Sequence, residues 1–143
     1  MATVHDVAAY ILSKQGEMTA MKLEKLVYYS QAWHVVWESE PLFAEPIEAW
    51  ANGPVCPALY RTHRGSFKVS EWPEGDAKAL TDVQRANIDL VIGHYGEIPA
   101  WQLSEMTHRE APWKDARGDL TPGQRGHEVI TVKAMDEYYQ SLL

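Results

Sequence analysis

Ser104, His108 and Glu110 stand close together in the stretch LSEMTHREAPW, residues 103–113. On a helix, Ser104 and His108 lie four residues apart on one face, so their side chains can meet. A hydroxyl, an imidazole and a carboxylate are the groups of a small hydrolase, in which the histidine takes the serine proton and the acid orients the ring. The same spacing has a plainer reading. Thr107 and His108 brace the end of a short helix ahead of Pro112, because hydroxyls near helix ends bond to the backbone. Acyl transfer also needs oxyanion donors, which nothing in the stretch supplies. The bracing reading is therefore preferred, no residue is assigned as catalytic, and the protein is expected not to be an enzyme.

Other chemistry is thinner still. His5, His34, His63, His94, His108 and His127 do not fall into a ligand spacing such as HExxH, so no metal site is expected. His34, on an aromatic helix face, reads as a hydrogen-bonded core or rim histidine. Cys56, between Val55 and Pro57, reads as a small buried residue. The stretch ANGPVCPALY, residues 51–60, lacks the lysine of a phosphate-binding loop. KDARGDLTPGQRG, residues 114–126, carries three glycines without a nucleotide fingerprint, and Asp115 with Arg117 is expected to tie that loop down. No cofactor is expected.

The elements that position these residues are mostly helices. Thr3 and Asp6 read as an N-cap and an acidic first turn, and Gly16 as the stop of that helix. Thr19 caps a second, long helix apolar over much of its circumference, which places it at the centre of the core. Pro41 ends it, and PIEAW, residues 46–50, alternates as a short strand. Asn52-Gly53 signals a turn, Pro54 keeps Gly53 out of the helical region, and Pro57 suits the first position of a helix through Ala58, Leu59 and Tyr60. Residues 64–80 read as a surface connection. Thr81 and Gln84 form a capping-box signature before a helix carried by Val83, Ile88, Leu90, Val91 and Ile92 and ending near Gly96. Pro99 opens a short helix through Trp101, Leu103 and Met106; residues 111–126 read as loop, HEVI as a second short strand, and residues from Thr131 onward as a closing helix. The expected architecture is α+β, predominantly α-helical, a compact single domain over 1–143 with a small antiparallel β element.

Composition narrows the partners. Asp and Glu number 20 against 13 Lys and Arg, giving a formal charge of −7, and the cations are scattered, so nucleic acid is an unfavourable partner and a basic protein surface a better one. One cysteine excludes an internal disulfide and fits a reducing, cytoplasmic setting. The N-terminus has no basic flank of a signal peptide, and no apolar run reaches the roughly 20 residues that span a bilayer. Six tryptophans and seven tyrosines against two phenylalanines supply rings with a polar handle, suited to core edges and interfaces. Regular spacing assigns Trp33, Trp50, Trp101, Trp113, Tyr28, Tyr29 and Tyr60 to the core by default; Trp37 and Trp72, near element ends, are expected to be exposed.

Three blocks in order, KLEKLVYYSQAWH (22–34) followed by PLF, IEAWANGPVCPALY (47–60) and WQLSEMTHREAPWKDAR (101–117), resemble the Panacea domain of SocA-like and GepA-like proteins from bacteria and their phages. The matching positions are Lys22, Leu23, Lys25, Leu26, Tyr28, Tyr29, Gln31, Trp33 and His34; then Trp50, Gly53, Pro54, Val55, Pro57, Leu59 and Tyr60. Leu103, Ser104, Thr107, His108, Glu110, Pro112, Trp113 and Arg117 complete the set. The resemblance implies an antitoxin that binds and neutralises a cognate protein toxin and is not an enzyme; together with the composition, no cofactor, nucleic-acid or membrane partner is expected. In one branch of the family the implied partner extends to a protease, to which an adaptor delivers the toxin. The motif residues are expected to serve the fold or partner binding, and toxin choice to lie in regions such as 64–80 and 118–127, with Trp72 among the contacts.

Overall fold

A computed structural model describes residues 2–143. Helix α1 (Val4–Gln15) begins at a capping box in which the Thr3 hydroxyl accepts from the Asp6 N–H and the Asp6 carboxylate accepts from the Thr3 N–H, and it ends at Gly16. A two-residue strand β1 (Met18–Thr19) leads into the long α2 (Ala20–Glu38), whose first turn Thr19 caps. Strands β2 (Ile47–Trp50) and β3 (Gly53–Val55) form a tight antiparallel hairpin with Trp50 opposite Gly53, and α3 (Pro57–His63) follows with Pro57 in its first turn. Then come β4 (Lys68–Val69), a 3-10 turn (Ala77–Ala79), α4 (Asp82–Tyr95), α5 (Ala100–Arg109), α6 (Ala111–Arg117), β5 (Val129–Ile130) and α7 (Val132–Gln140). Strand β5 pairs with the free side of β2, while β1 and β4 pair separately.

The fold is α+β and predominantly helical, with two small antiparallel sheets. Helix α2 is central: α1, α4, α5 and α7 pack around it, and β3 lies against its N-terminal half. Leu23, Leu26, Val27, Tyr28, Tyr29 and Ala32 are all essentially inaccessible, which is why this helix is apolar nearly all round. Gln31 splints it to the segment that follows Pro41: its side-chain oxygen accepts from the Leu42 N–H at 2.7 Å, and its amide donates to the Phe43 carbonyl at 2.8 Å.

Several sequence expectations are corrected. Residues 111–117 are helical rather than loop, because Pro112 presets the first turn and Gly118 (φ 56°) ends it. Arg117 does tie down the following loop, but through carbonyls of Ala49, Thr121 and Gln124, with Asp115 left in solvent. Val83 and Leu90 are exposed, since α4 buries the ridge Asn87–Ile88–Val91–Tyr95 and Leu90 lies roughly 200° around the helix from Ile88. Trp101 is also exposed, at 65 %. Trp72 is buried instead of exposed: its indole N–H donates to His5 at 3.0 Å and its ring stacks on the imidazole. Residues 64–80 are therefore partly interior, pinned further by the Asp76 N–H donating to Asp6. Trp37 is exposed as expected.

Candidate functional site

Most of the motif residues lie beneath the surface, where they build two of the three polar clusters around α2. The first joins α2, α5 and α7. Glu110, at the break between α5 and α6, accepts from the Tyr29 and Tyr139 hydroxyls, each at 2.8 Å, and the Tyr28 and Tyr139 hydroxyls lie 3.0 Å apart. Tyr29 also stacks on Tyr95 with ring centroids 4.0 Å apart, and the Tyr95 hydroxyl accepts from the Trp33 indole. Burial pushes the Glu110 carboxyl above its usual range, and the two phenol hydrogen bonds oppose that shift.

The second cluster fixes the hairpin to α2 and α5. Lys25 is fully buried, and its ammonium donates to the Pro54 carbonyl at 3.2 Å with the Met21 sulfur at 3.0 Å. Burial lowers its pKa to about 8, with the neighbouring Glu24 charge opposing. The lysine stem packs where Gly53 has no side chain: a Cβ there would stand 2.6 Å from Lys25 Cε and 3.2 Å from Thr107 Oγ1. The Thr107 hydroxyl donates to the Ser104 carbonyl at 2.7 Å, as the bracing reading requires. His108 stacks on Trp113, ring centroids 4.0 Å apart, and Trp113 donates to the Trp50 carbonyl. Burial first, then the Lys25 and Arg117 charges, lower the His108 pKa, against a hydrogen bond to the Asn52 backbone. Its Nε2 is buried without a partner among the described residues.

The third cluster joins α2 to α3. Glu24 is 2 % exposed; its carboxylate accepts from the Cys56 N–H at 2.9 Å and meets His63 Nε2 at 2.6 Å. Sequence reasoning missed Glu24 and His63 altogether. The available signal was a glutamate set between Leu23 and Lys25 on a helix otherwise apolar around it, since such a charge is retained only when paired. His34 is where it was expected, buried and bonded to Asn87, which also donates to Glu38.

Ser104, His108 and Glu110 are not brought together: no hydrogen bond joins any two of them among the described residues, and Glu110 faces the tyrosines. Lys22 is half-buried, and its backbone N–H completes the Thr19 cap. No group of histidine, cysteine or acidic side chains with metal-binding geometry occurs among the described residues. No described helix is long and apolar enough to cross a membrane.

Above the third cluster lies an open groove of about 810 Å³. Its floor is Glu24 and Val55, its walls include Trp50 and Tyr60 packed edge to face at 4.9 Å, and its rims are residues 64–67 and 125–127. A smaller recess of about 440 Å³ lies over His108 and Trp113.

Much of the buried polar clusters comes from the three sequence blocks at 22–34, 47–60 and 101–117, joined by His63, Tyr95 and Tyr139 from outside them. The family model described as "Antitoxin SocA-like, Panacea domain" matches residues 23–114, more than half of the chain. The chain belongs to the SocA-like Panacea family of antitoxins. No curated protein and no solved structure matches it. The region matched by the Panacea family runs from the first turns of α2 into α6 and so contains Glu24, Lys25, Gly53, His63, Thr107, His108 and Glu110, the residues that hold α2, the hairpin, α3 and α5 together.

Proposed function

We propose that this Panacea protein neutralises a co-encoded toxin by direct, stoichiometric binding that covers the toxin's working surface. Family membership supports an antitoxin role. The observation that carries the binding mechanism is the division between motif and surface. Tyr28, Gln31, His34, Thr107 and Arg117 are buried and hydrogen-bonded within the chain, whereas the broad groove is rimmed by residues outside the motif. A scaffold that keeps its interior and varies its rims can meet different partners without refolding. Residues 64–67 and 125–127 come from the two segments expected to choose the toxin, and both line this one groove, which supports the reading.

The test is co-expression of the neighbouring reading frame with and without this protein, scoring growth, toxin level and co-purification. Relief of toxicity with a stable complex is the expected result. Relief accompanied by loss of the toxin would replace occlusion with delivery to a protease, and toxicity that this protein does not relieve would overturn the proposal. His108→Ala provides a second check. Under the binding mechanism, a folded variant that still captures the toxin also still neutralises it, whereas a hydrolase using Ser104, His108 and Glu110 would lose activity while retaining capture.

A further inference from the structure

The groove has a charge opposite to the molecule. The chain carries −7 overall, yet the charged lining of the groove is Arg64 and Arg125 against the single acid Glu24. Glu24 is already committed to His63 and the Cys56 N–H. Both arginines are exposed, and neither has an ion-pair or side-chain hydrogen-bond partner among the described residues. His127, on the same rim, stands 3.4 Å from Glu48, itself engaged by the Trp50 indole at 2.8 Å. Unpaired guanidinium groups lining one concave surface are suited to receiving carboxylates, which they bind bidentately.

The apolar part of the groove is equally specific. Phe67 is 77 % exposed, but its position is fixed: its carbonyl accepts from the Ala20 N–H at 2.9 Å, and the next residues pair with β1. A phenylalanine whose backbone is already held in place, lining the same groove as Trp50 and Tyr60, gives a ready anchor surface, since only its side chain is left to order on binding.

We infer that this groove receives an extended acidic segment of the toxin, with carboxylates against Arg64 and Arg125 and an apolar or aromatic side chain seated among Phe67, Trp50 and Tyr60. This rests on the antitoxin reading and names the part of the toxin that the groove takes. The whole molecule's negative charge acts at long range and is screened over about 8–10 Å in salt, whereas the arginines act at contact, so the two requirements do not conflict.

The test compares wild type, R64E/R125E and F67A against the toxin of the neighbouring reading frame, by titration calorimetry and growth rescue. None of the three substituted side chains makes a hydrogen bond or ion pair among the described residues, so melting temperatures are expected to match wild type. Affinity is expected to fall on the order of 100-fold for R64E/R125E and tenfold for F67A. Wild-type affinity in R64E/R125E overturns the groove assignment and leaves the antitoxin reading standing. If wild type itself neither rescues growth nor binds, the antitoxin reading fails, and a labelled peptide of alternating glutamate and tyrosine decides the groove by fluorescence anisotropy. Binding that R64E/R125E abolishes, and that a lysine–tyrosine peptide does not show, supports the groove chemistry; equal binding of both peptides, or of neither, overturns it.

Discussion

Glu110 accepts hydrogen bonds from two tyrosine hydroxyls on separate helices, so its removal leaves two donors stranded in the interior. Glu110→Ala is expected to cost about 2–4 kcal/mol in urea denaturation, because each unsatisfied buried donor costs about 1–3 kcal/mol. Glu110→Gln keeps an acceptor oxygen and should cost about 1 kcal/mol or less. Equal losses in the two variants would show that packing, not acceptance, is what Glu110 contributes. Lys25 offers a test with a sign. Its folded-state pKa is depressed to about 8, so above that pH the folded chain releases a proton that the unfolded chain keeps until about 10.5. Stability attributable to this residue therefore rises with pH between 8 and 10, by up to ~1.4 kcal/mol per unit. Glu24 on the same helix and His108 from α5 are the charged or titratable neighbours that bear on it. Cys56 is pushed up to about 12 by burial and slopes the opposite way above pH 9, so the measurement is the difference between wild type and Lys25→Met. A difference that stays flat from pH 8 to 10 would show that Lys25 remains charged when folded. The sequence marked Glu110, Tyr29, Lys25 and Pro54 as motif positions but did not pair them, and it did not mark Tyr139 of α7 or Met21 of α2.

At the scale of elements, the β2–β3 hairpin and α3 are set by local chemistry. Pro57 begins α3 as its preset φ dictates, and Thr81 with Gln84 closes the capping box of α4. Gly53 is the joint. It sits at φ 127°, a backbone region that side-chain-bearing residues rarely adopt, and its missing Cβ leaves room for the Lys25 stem. Gly53→Val is expected to destabilise by about 2–4 kcal/mol, combining backbone strain with displacement of a buried side chain. A melting temperature within a degree or so of wild type would assign Gly53 some other role. Where expectation failed, at Leu90 and Trp72, the missing information was which side of an element the rest of the chain covers. An apolar residue on α4 satisfies helical periodicity on either of two faces, and only the helices packed against it, α2 and α1, choose between them. A tryptophan in a polar stretch looks exposed until His5, 67 residues earlier, supplies a partner for its N–H.

The whole molecule is larger than the family match. Residues 23–114 lack Val4, Val7 and Ile11 of α1 and Met135 and Tyr139 of α7, all at 2 % exposure or less. Without them the central helix α2 would present two broad apolar faces to water. A fragment spanning residues 20–117 is therefore expected to show no cooperative thermal transition, whereas residues 1–143 are expected to melt as a single unit. A sharp, reversible melt of the fragment would show that α1 and α7 are accessories to an independent core.

The sequence alone determined most helix starts, the proline joint, the centrality of α2 and the family, because caps, turns and periodicity depend on residues within a turn or two of each other; it missed α6 and set the end of α2 at Pro41 rather than Glu38. Only the tertiary structure decided that Glu24 meets His63, that Tyr28 meets Tyr139 across 111 residues, and that Arg64 and Arg125 face one groove. Those pairings follow from how α2 is wrapped by elements distant in the chain. A window of sequence carries each residue's chemistry but not the side of the fold on which that residue arrives.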